Sequence, residues 1–327
     1  MSSLKLRLSM IGTLAFIIAV STLFFTVILS LLGALNIIAL ASFVILFNIL
    51  QWLFAPHLIN ALYKAREVSK SDNPKLYGMV ERLSRKIGLK MPRVMIANIP
   101  IPNAFAYGSP IAGNRVAVTT GLMKELEDEE VEAVVGHELG HLKHRDVQIM
   151  MFASVLPAIF YFIGYSMMLS AWFGGGRQRQ GGGAAPIIVG LACMAIYWML
   201  TLFVLGLSRL REYYADQRSA MSVEEGARKL SEALAKIVAS TGRMKRHHRE
   251  VGGLNGFKTL FIDDPDRAER DEIQIAGTRM FRADRQLVQE ILSRKVTMLD
   301  RALELLSTHP NIVKRLTALQ KLYSYNP

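Results

Sequence analysis

The 327-residue sequence predicts a mainly α-helical integral membrane protein with about four transmembrane helices and a small β-sheet in its water-exposed part. Three observations carry this. Four long segments, 10–32, 36–54, 150–173 and 184–207, are apolar and contain no Lys, Arg, Asp or Glu. Between them, short runs alternate apolar and polar residues with the period of a strand. Two polar motifs, by contrast, repeat every four residues, the spacing of one helical face.

Each apolar segment approaches or exceeds the roughly 20 residues needed to cross a bilayer core. The first is long for a secretory signal, lacks a small-x-small cleavage site and runs past Gly33 into the second, so 1–55 reads as a transmembrane hairpin. Segments three and four form a second hairpin over 150–208, leaving 56–149 and 209–327 as two parts of one water-exposed domain. Basic residues set the orientation. Lys5 and Arg7 precede the first segment, Lys64, Arg66 and Lys70 follow the second, and Arg209 and Arg211 follow the fourth. Against them stand only Arg177 and Arg179 in the connection 174–183. The positive-inside rule therefore puts both termini and the 56–149 region on the cytoplasmic side of a cell (plasma or inner) membrane.

Within the first water-exposed part, a helix is expected over 74–88. Strands follow at 93–98, 104–107 and 115–119, where Val94, Ile96, Val116 and Val118 alternate. A further helix starts near Glu129, its acidic first turn offsetting the helix dipole. In the second part, helices over 223–238 and 283–307 flank a Gly- and charge-rich stretch, 240–282, containing the basic run Lys245-Arg246-His247-His248-Arg249. The net charge of +12 fits a basic face beside anionic lipid headgroups. No stacking-aromatic or zinc-knuckle pattern points to nucleic acid. Cys193, the single cysteine, lies inside the fourth apolar segment and reads as small apolar filler.

The chemistry is concentrated in His137-Glu138-Leu139-Gly140-His141. Two histidines four apart on a helix differ by about 40° of rotation and about 6 Å of rise, so both imidazoles reach one metal ion. Glu138, about 100° round, is placed to deprotonate a water rather than to bind the ion. That is the pattern of a zinc-dependent peptide hydrolase. A catalytic zinc takes three protein ligands and keeps one position open. His144 shares the face but stands about 10 Å along the axis from His137, too far to join the same ion. The position ten past His137, where metzincins have a third histidine, is Val147. The better candidate is Glu212 in Arg211-Glu212-Tyr213-Tyr214-Ala215-Asp216, with Asp216 one turn on accepting the free ring N–H of His137.

These motifs, with Asn103-Ala104-Phe105-Ala106, the two hairpins, His309-Pro310 and Arg315 in matching order, resemble the HtpX-type membrane zinc metalloproteases, relatives of the CAAX prenyl proteases. The resemblance covers nearly the whole chain; the Gly- and Arg-rich 174–183 loop and the basic 240–282 stretch depart from it. It implies a gluzincin-like zinc protease domain with a small sheet packed on the active-site helices, one catalytic Zn2+, and a role in membrane protein quality control. It implies further that Asn103, Ala104, Phe105 and Ala106 form an edge strand on which a substrate backbone pairs, and that His309 hydrogen-bonds the developing oxyanion. Arg315 is expected to orient Asp216 or Glu212. Expected substrates are membrane proteins or unfolded polypeptides at the cytoplasmic face. Two alternatives use the same residues: a prenyl-peptide protease, and a non-proteolytic membrane scaffold with a structural zinc.

Overall fold

The computed structural model describes residues 37–173, 185–247 and 284–325. The first apolar segment, the 174–183 connection and most of the 240–282 stretch lie outside the described residues. The described chain falls into two compact units. One holds the described parts of Met1–Trp52 and Gln148–Gly206, the other those of Leu53–Val147 and Leu207–Pro327.

Three long apolar helices are α1 (Ile37–Leu62), α5 (Asp146–Phe173) and α6 (Ala185–Ser222). Each contains a window long and apolar enough to cross a membrane. All three outrun the apolar segments that announce them, and α6 does so most. It continues without a break through the Glu212–Asp216 motif to Ser222, because nothing between Leu207 and Ser222 is a proline or glycine. Inside the first unit α5 and α6 meet at small residues: a Cβ on Gly164 would stand 3.0 Å from the carbonyl oxygen of Gly190, and one on Gly190 would stand 2.8 Å from Met168 Cγ. Such contacts are how membrane helices gain packing where the solvent is as apolar as they are. Tyr161 and Tyr197 stack edge to face beside them, 5.2 Å between centroids.

The second unit is built on a four-stranded sheet, β1 (Ala65–Glu67), β2 (Arg93–Ala97), β3 (Ala104–Ser109) and β4 (Gly113–Thr119), in the order β1-β2-β4-β3. β2 and β4 run parallel; β1 and β3 are antiparallel to their neighbours. The period-2 alternation buries both faces. Val94, Ile96, Ala104, Val116 and Val118 enter one apolar core with residues of α2 (Pro74–Lys86), α4 (Asp128–Lys143) and α7 (Gly226–His247). Met95, Ala97, Phe105, Tyr107 and Ala117 enter a second with Tyr63 and Ile59. Polar groups fasten that second face to the end of α1. Pro56 interrupts the helical ladder there, and the carbonyls of Leu53 and Pro56 accept from Ser109 Oγ at 3.1 Å and Arg115 Nη1 at 3.3 Å.

Short helix α3 (Thr120–Glu125) is capped by Thr119 and leads into α4, whose Glu127 and Glu130 form a capping box. The chain closes with α8 (Asp284–Leu292), α9 (Met298–Leu305) and α10 (Ile312–Tyr325). Here the structure corrects two expectations. The single helix expected over 283–307 is two, because Thr297 and Asp300 form a capping box that starts α9 afresh after a turn. The helix expected to end at Val238 runs on to His247, so the first three residues of the basic run are helical. Strand β1, three residues long, is too short for alternation to register.

The turn from β4 into α3 depends on Gly121, whose N–H donates to the carbonyl of Ile99. A Cβ there would lie 2.0 Å from the Pro100 carbonyl oxygen. Gly121→Ala is therefore expected to destabilise the sheet unit by about 1–3 kcal/mol through forced backbone displacement. The check is a thermal melt of the detergent-solubilised chain beside the wild type.

Candidate active site

α4 presents the histidine pair because His137 and His141 fall one turn apart on the face turned towards α6. The two helices come close through glycines on α4. A Cβ on Gly136 would meet Ser219 Oγ at 3.2 Å, and one on Gly140 would meet Ala215 Cα at 3.2 Å. Across this contact His137 Nδ1 lies 2.9 Å from Asp216 Oδ1. Asp216 is gripped from its other side by Arg315 of α10, with Nε 2.9 Å from Oδ2 and Nη2 2.6 Å from Oδ1. His141 is held in the same manner by a residue the sequence reading passed over. Its Nδ1 lies 2.6 Å from Asp146 Oδ2, and Arg211 donates to the other oxygen of that carboxylate. A carboxylate beside each Nδ1 assigns the ring proton to that nitrogen, which leaves the Nε2 lone pairs free.

Both lone pairs look into one space. The Nε2 atoms are 3.1 Å apart; Glu212 Oε2 is 3.6 Å from that of His137 and Glu212 Oε1 is 3.5 Å from that of His141. Ligands bound at about 2.1 Å in a tetrahedron stand about 3.4 Å from one another, so this triangle has the size of one face of a zinc tetrahedron. Without a cation, two nitrogen acceptors and a buried carboxylate would oppose each other at short range. The residues thus fit a divalent metal.

The remaining predicted residues surround this triangle. Glu138 is 4% exposed, and its ligand-type atoms lie within 4.8 Å of both histidines. Burial pushes its carboxyl above the usual range, against the pull of His141, His137 and the Ala106 backbone N–H. A carboxylate raised in this way is suited to accept a proton near neutral pH. His309 is buried with Nδ1 3.3 Å from Glu212 Oε2, while its Nε2 meets no hydrogen-bond partner among the described residues. Arg315 Nη1 also lies 3.3 Å from Glu212 Oε2. Asn103 precedes β3, and Ala104, Phe105 and Ala106 lie in it; β3 is an edge of the sheet, paired with β4 alone among the described residues. His144 caps the end of α4, away from the triangle.

Residues 70–323 match the family model of Peptidase family M48. The chain belongs to peptidase family M48. Curated relatives agree. A protease HtpX homolog of Thermoplasma acidophilum is 37% identical over 294 residues, 88% of this chain and 86% of the relative. HtpX homolog 2 of Sulfurisphaera tokodaii is 36% identical over 338 residues, 97% of each chain. The protease HtpX homolog of Archaeoglobus fulgidus is 32% identical across 96% of this chain and 86% of the relative. Among solved structures, Ste24p of S. mikatae superposes with a TM-score of 0.56 at 18% identity, over 96% of this chain and 66% of that one, which shows a shared fold. This M48 chain, with its membrane-length apolar helices, is a membrane metalloendopeptidase.

Asp146 had one sequence signal, a carboxylate five residues past His141 at the start of a new helix. Between the two helices Arg145 takes the left-handed conformation, φ 56°, and Asp146 opens α5 directly after it. Asp146→Ala is expected to lower metal affinity about 10- to 100-fold, the usual cost of removing a carboxylate behind a ligating histidine. Competition with a metallochromic chelator measures it. Gly140→Ala should also weaken metal binding, since Ala215 Cα is backbone and α6 must move away.

Proposed function

We propose that this chain is a zinc endopeptidase that cuts membrane or misfolded proteins at the cytoplasmic face, in the service of protein quality control. The single observation that carries the reading is the triangle of His137 Nε2, His141 Nε2 and Glu212, with edges of 3.1–3.6 Å, beside a buried Glu138. His137, His141 and Glu212 would hold the ion, with Asp216, Asp146 and Arg315 fixing their orientation. Bound there, zinc supplies a Lewis acid that polarises water and the scissile carbonyl.

Glu138 takes one proton from the attacking water as its oxygen bonds to the carbonyl carbon. It then passes that proton to the departing amine nitrogen as the C–N bond breaks. The Nε2–H of His309 is the donor for the oxyanion that develops between these steps, which requires the ring to carry its proton there. Substrate backbone adds to the free side of β3 and so is held by main-chain hydrogen bonds with little sequence preference. The Ala106 N–H that restrains Glu138 belongs to this strand, so substrate binding and the general base share one piece of backbone. The cytoplasmic assignment is supported by Lys64, Arg66 and Lys70 after α1 and by Arg209 and Arg211 in α6. The HtpX homologs are named as proteases, and this together with the membrane-length helices supports protein substrates drawn from the bilayer or its surface.

The test is to purify the chain with a chelator, restore zinc, and follow cleavage of itself or of an unfolded protein by mass. Glu138→Gln should lose about 10²–10⁴-fold in rate with zinc still bound. Glu212→Gln should lose the metal as well as the activity. A wild type that binds zinc and cuts no unfolded, membrane or prenylated substrate would overturn the reading in favour of a scaffold. His309→Ala should cost about 10²–10³-fold in kcat with metal affinity intact, and an unchanged kcat would remove its assigned role.

A further inference from the structure

Helix α9 turns its apolar side outward. Successive residues advance by about 100°, so Met298, Leu299, Ala302, Leu305 and the C-cap Leu306 share one arc of about 120°. All of them are exposed, Met298 at 83%, Leu299 at 62% and Leu305 at 55%. The opposite arc holds Leu303, Glu304 and Ser307, which are buried. Glu304 accepts there from the Asn311 N–H and from Lys314. A helix on the surface of a water-soluble domain does the reverse, burying the apolar stripe and wetting the acid. An exposed apolar face of this kind marks a surface that something else covers.

Two further observations say what covers it. The C-terminal end of α9 is bound by Arg209 of α6, which donates to the carbonyls of Glu304, Leu305 and Ser307 at 2.9, 3.2 and 2.8 Å. Arg209 stands two residues past the apolar segment 184–207, so α9 is fastened at the point where α6 ceases to be apolar, beside exposed Leu210. Basic residues also rim the helix: Lys295, just before it, and Arg301, within it, are both exposed. An apolar face edged by cations is the surface that lies in a membrane interface, with its apolar residues at the boundary of headgroups and acyl chains and its cations on anionic lipid.

We propose that α9 is an interfacial helix whose Met298, Leu299, Leu305 and Leu306 rest in the lipid surface. This does not depend on the catalytic roles assigned above. The consequence for the site is direct, since the segment leaving α9 carries His309.

The test replaces Cys193 with Ala and introduces Leu299→Cys, Leu305→Cys or, as a water-exposed control, Lys75→Cys, whose native side chain is 74% exposed. Each full chain is labelled with bimane and placed in phosphatidylcholine–phosphatidylglycerol nanodiscs, with or without brominated acyl chains, and iodide is then added. Brominated lipid should quench the labels at 299 and 305 about threefold or more above the control, and iodide should show the opposite order. Iodide quenching at 299 and 305 equal to that at 75 would put the face in water and overturn the proposal. Shielding from both quenchers would mean that protein, such as a second copy of this chain, covers it, and would overturn it equally. Both positions are exposed, so the labels displace no core residue, and the two give independent readings.

Discussion

The site depends on carboxylates held inside the protein rather than at its surface. Glu138, Asp146, Glu212 and Asp216 are all buried, and the buried cations among them are Arg211 and Arg315. With neutral histidines, that leaves a formal excess of two negative charges in a region with little water. Burying unbalanced charge is costly, and a divalent cation is what closes the balance. The same electrostatics explains the arrangement of the guanidiniums. Each sits behind a carboxylate that faces an imidazole, so it holds the carboxylate in place without competing for the Nε2 nitrogens.

That arrangement requires two helices to approach closely along the length of the motif. Gly136 and Gly140 open the gap on α4, and Ala215 with Ser219 receives them on α6. Gly140, inside the histidine motif, thus acts by having no side chain. Ser219 adds a hydrogen bond from its hydroxyl to the Ala133 carbonyl at 2.6 Å, closing the contact one turn above the histidines.

What was legible in the sequence was local. His137, Glu138 and His141 announce themselves within five residues, and Glu212 with Asp216 within another five, because helical periodicity converts spacing into shared direction. The apolar segments were equally plain, as composition alone signals them. Residues whose role arises from contacts distant in sequence were hidden. Arg209 binds carbonyls some 95 residues away, and Arg211 reaches Asp146 over 65. Neither pairing leaves a periodic trace. The division between α8 and α9 was hidden for another reason: Thr297 and Asp300 are unremarkable until the capping box they form is seen, and the apolar pattern on either side suggested one continuous helix. His309 and Arg315 came from family resemblance, since a lone histidine before a proline carries no spacing to read.

The course of α6 from Leu207 to Ser222 has a mechanical meaning. This stretch spans about 24 Å with no proline or glycine to serve as a joint. Arg209, which binds the end of α9, Glu212 of the triangle and Asp216 behind His137 all stand on it. About 4.5 Å of helical rise separates Arg209 from Glu212, so a displacement of α9 passed to Arg209 meets nothing that would absorb it before the triangle. The stretch is a stiff link between the surface helix and the chemistry.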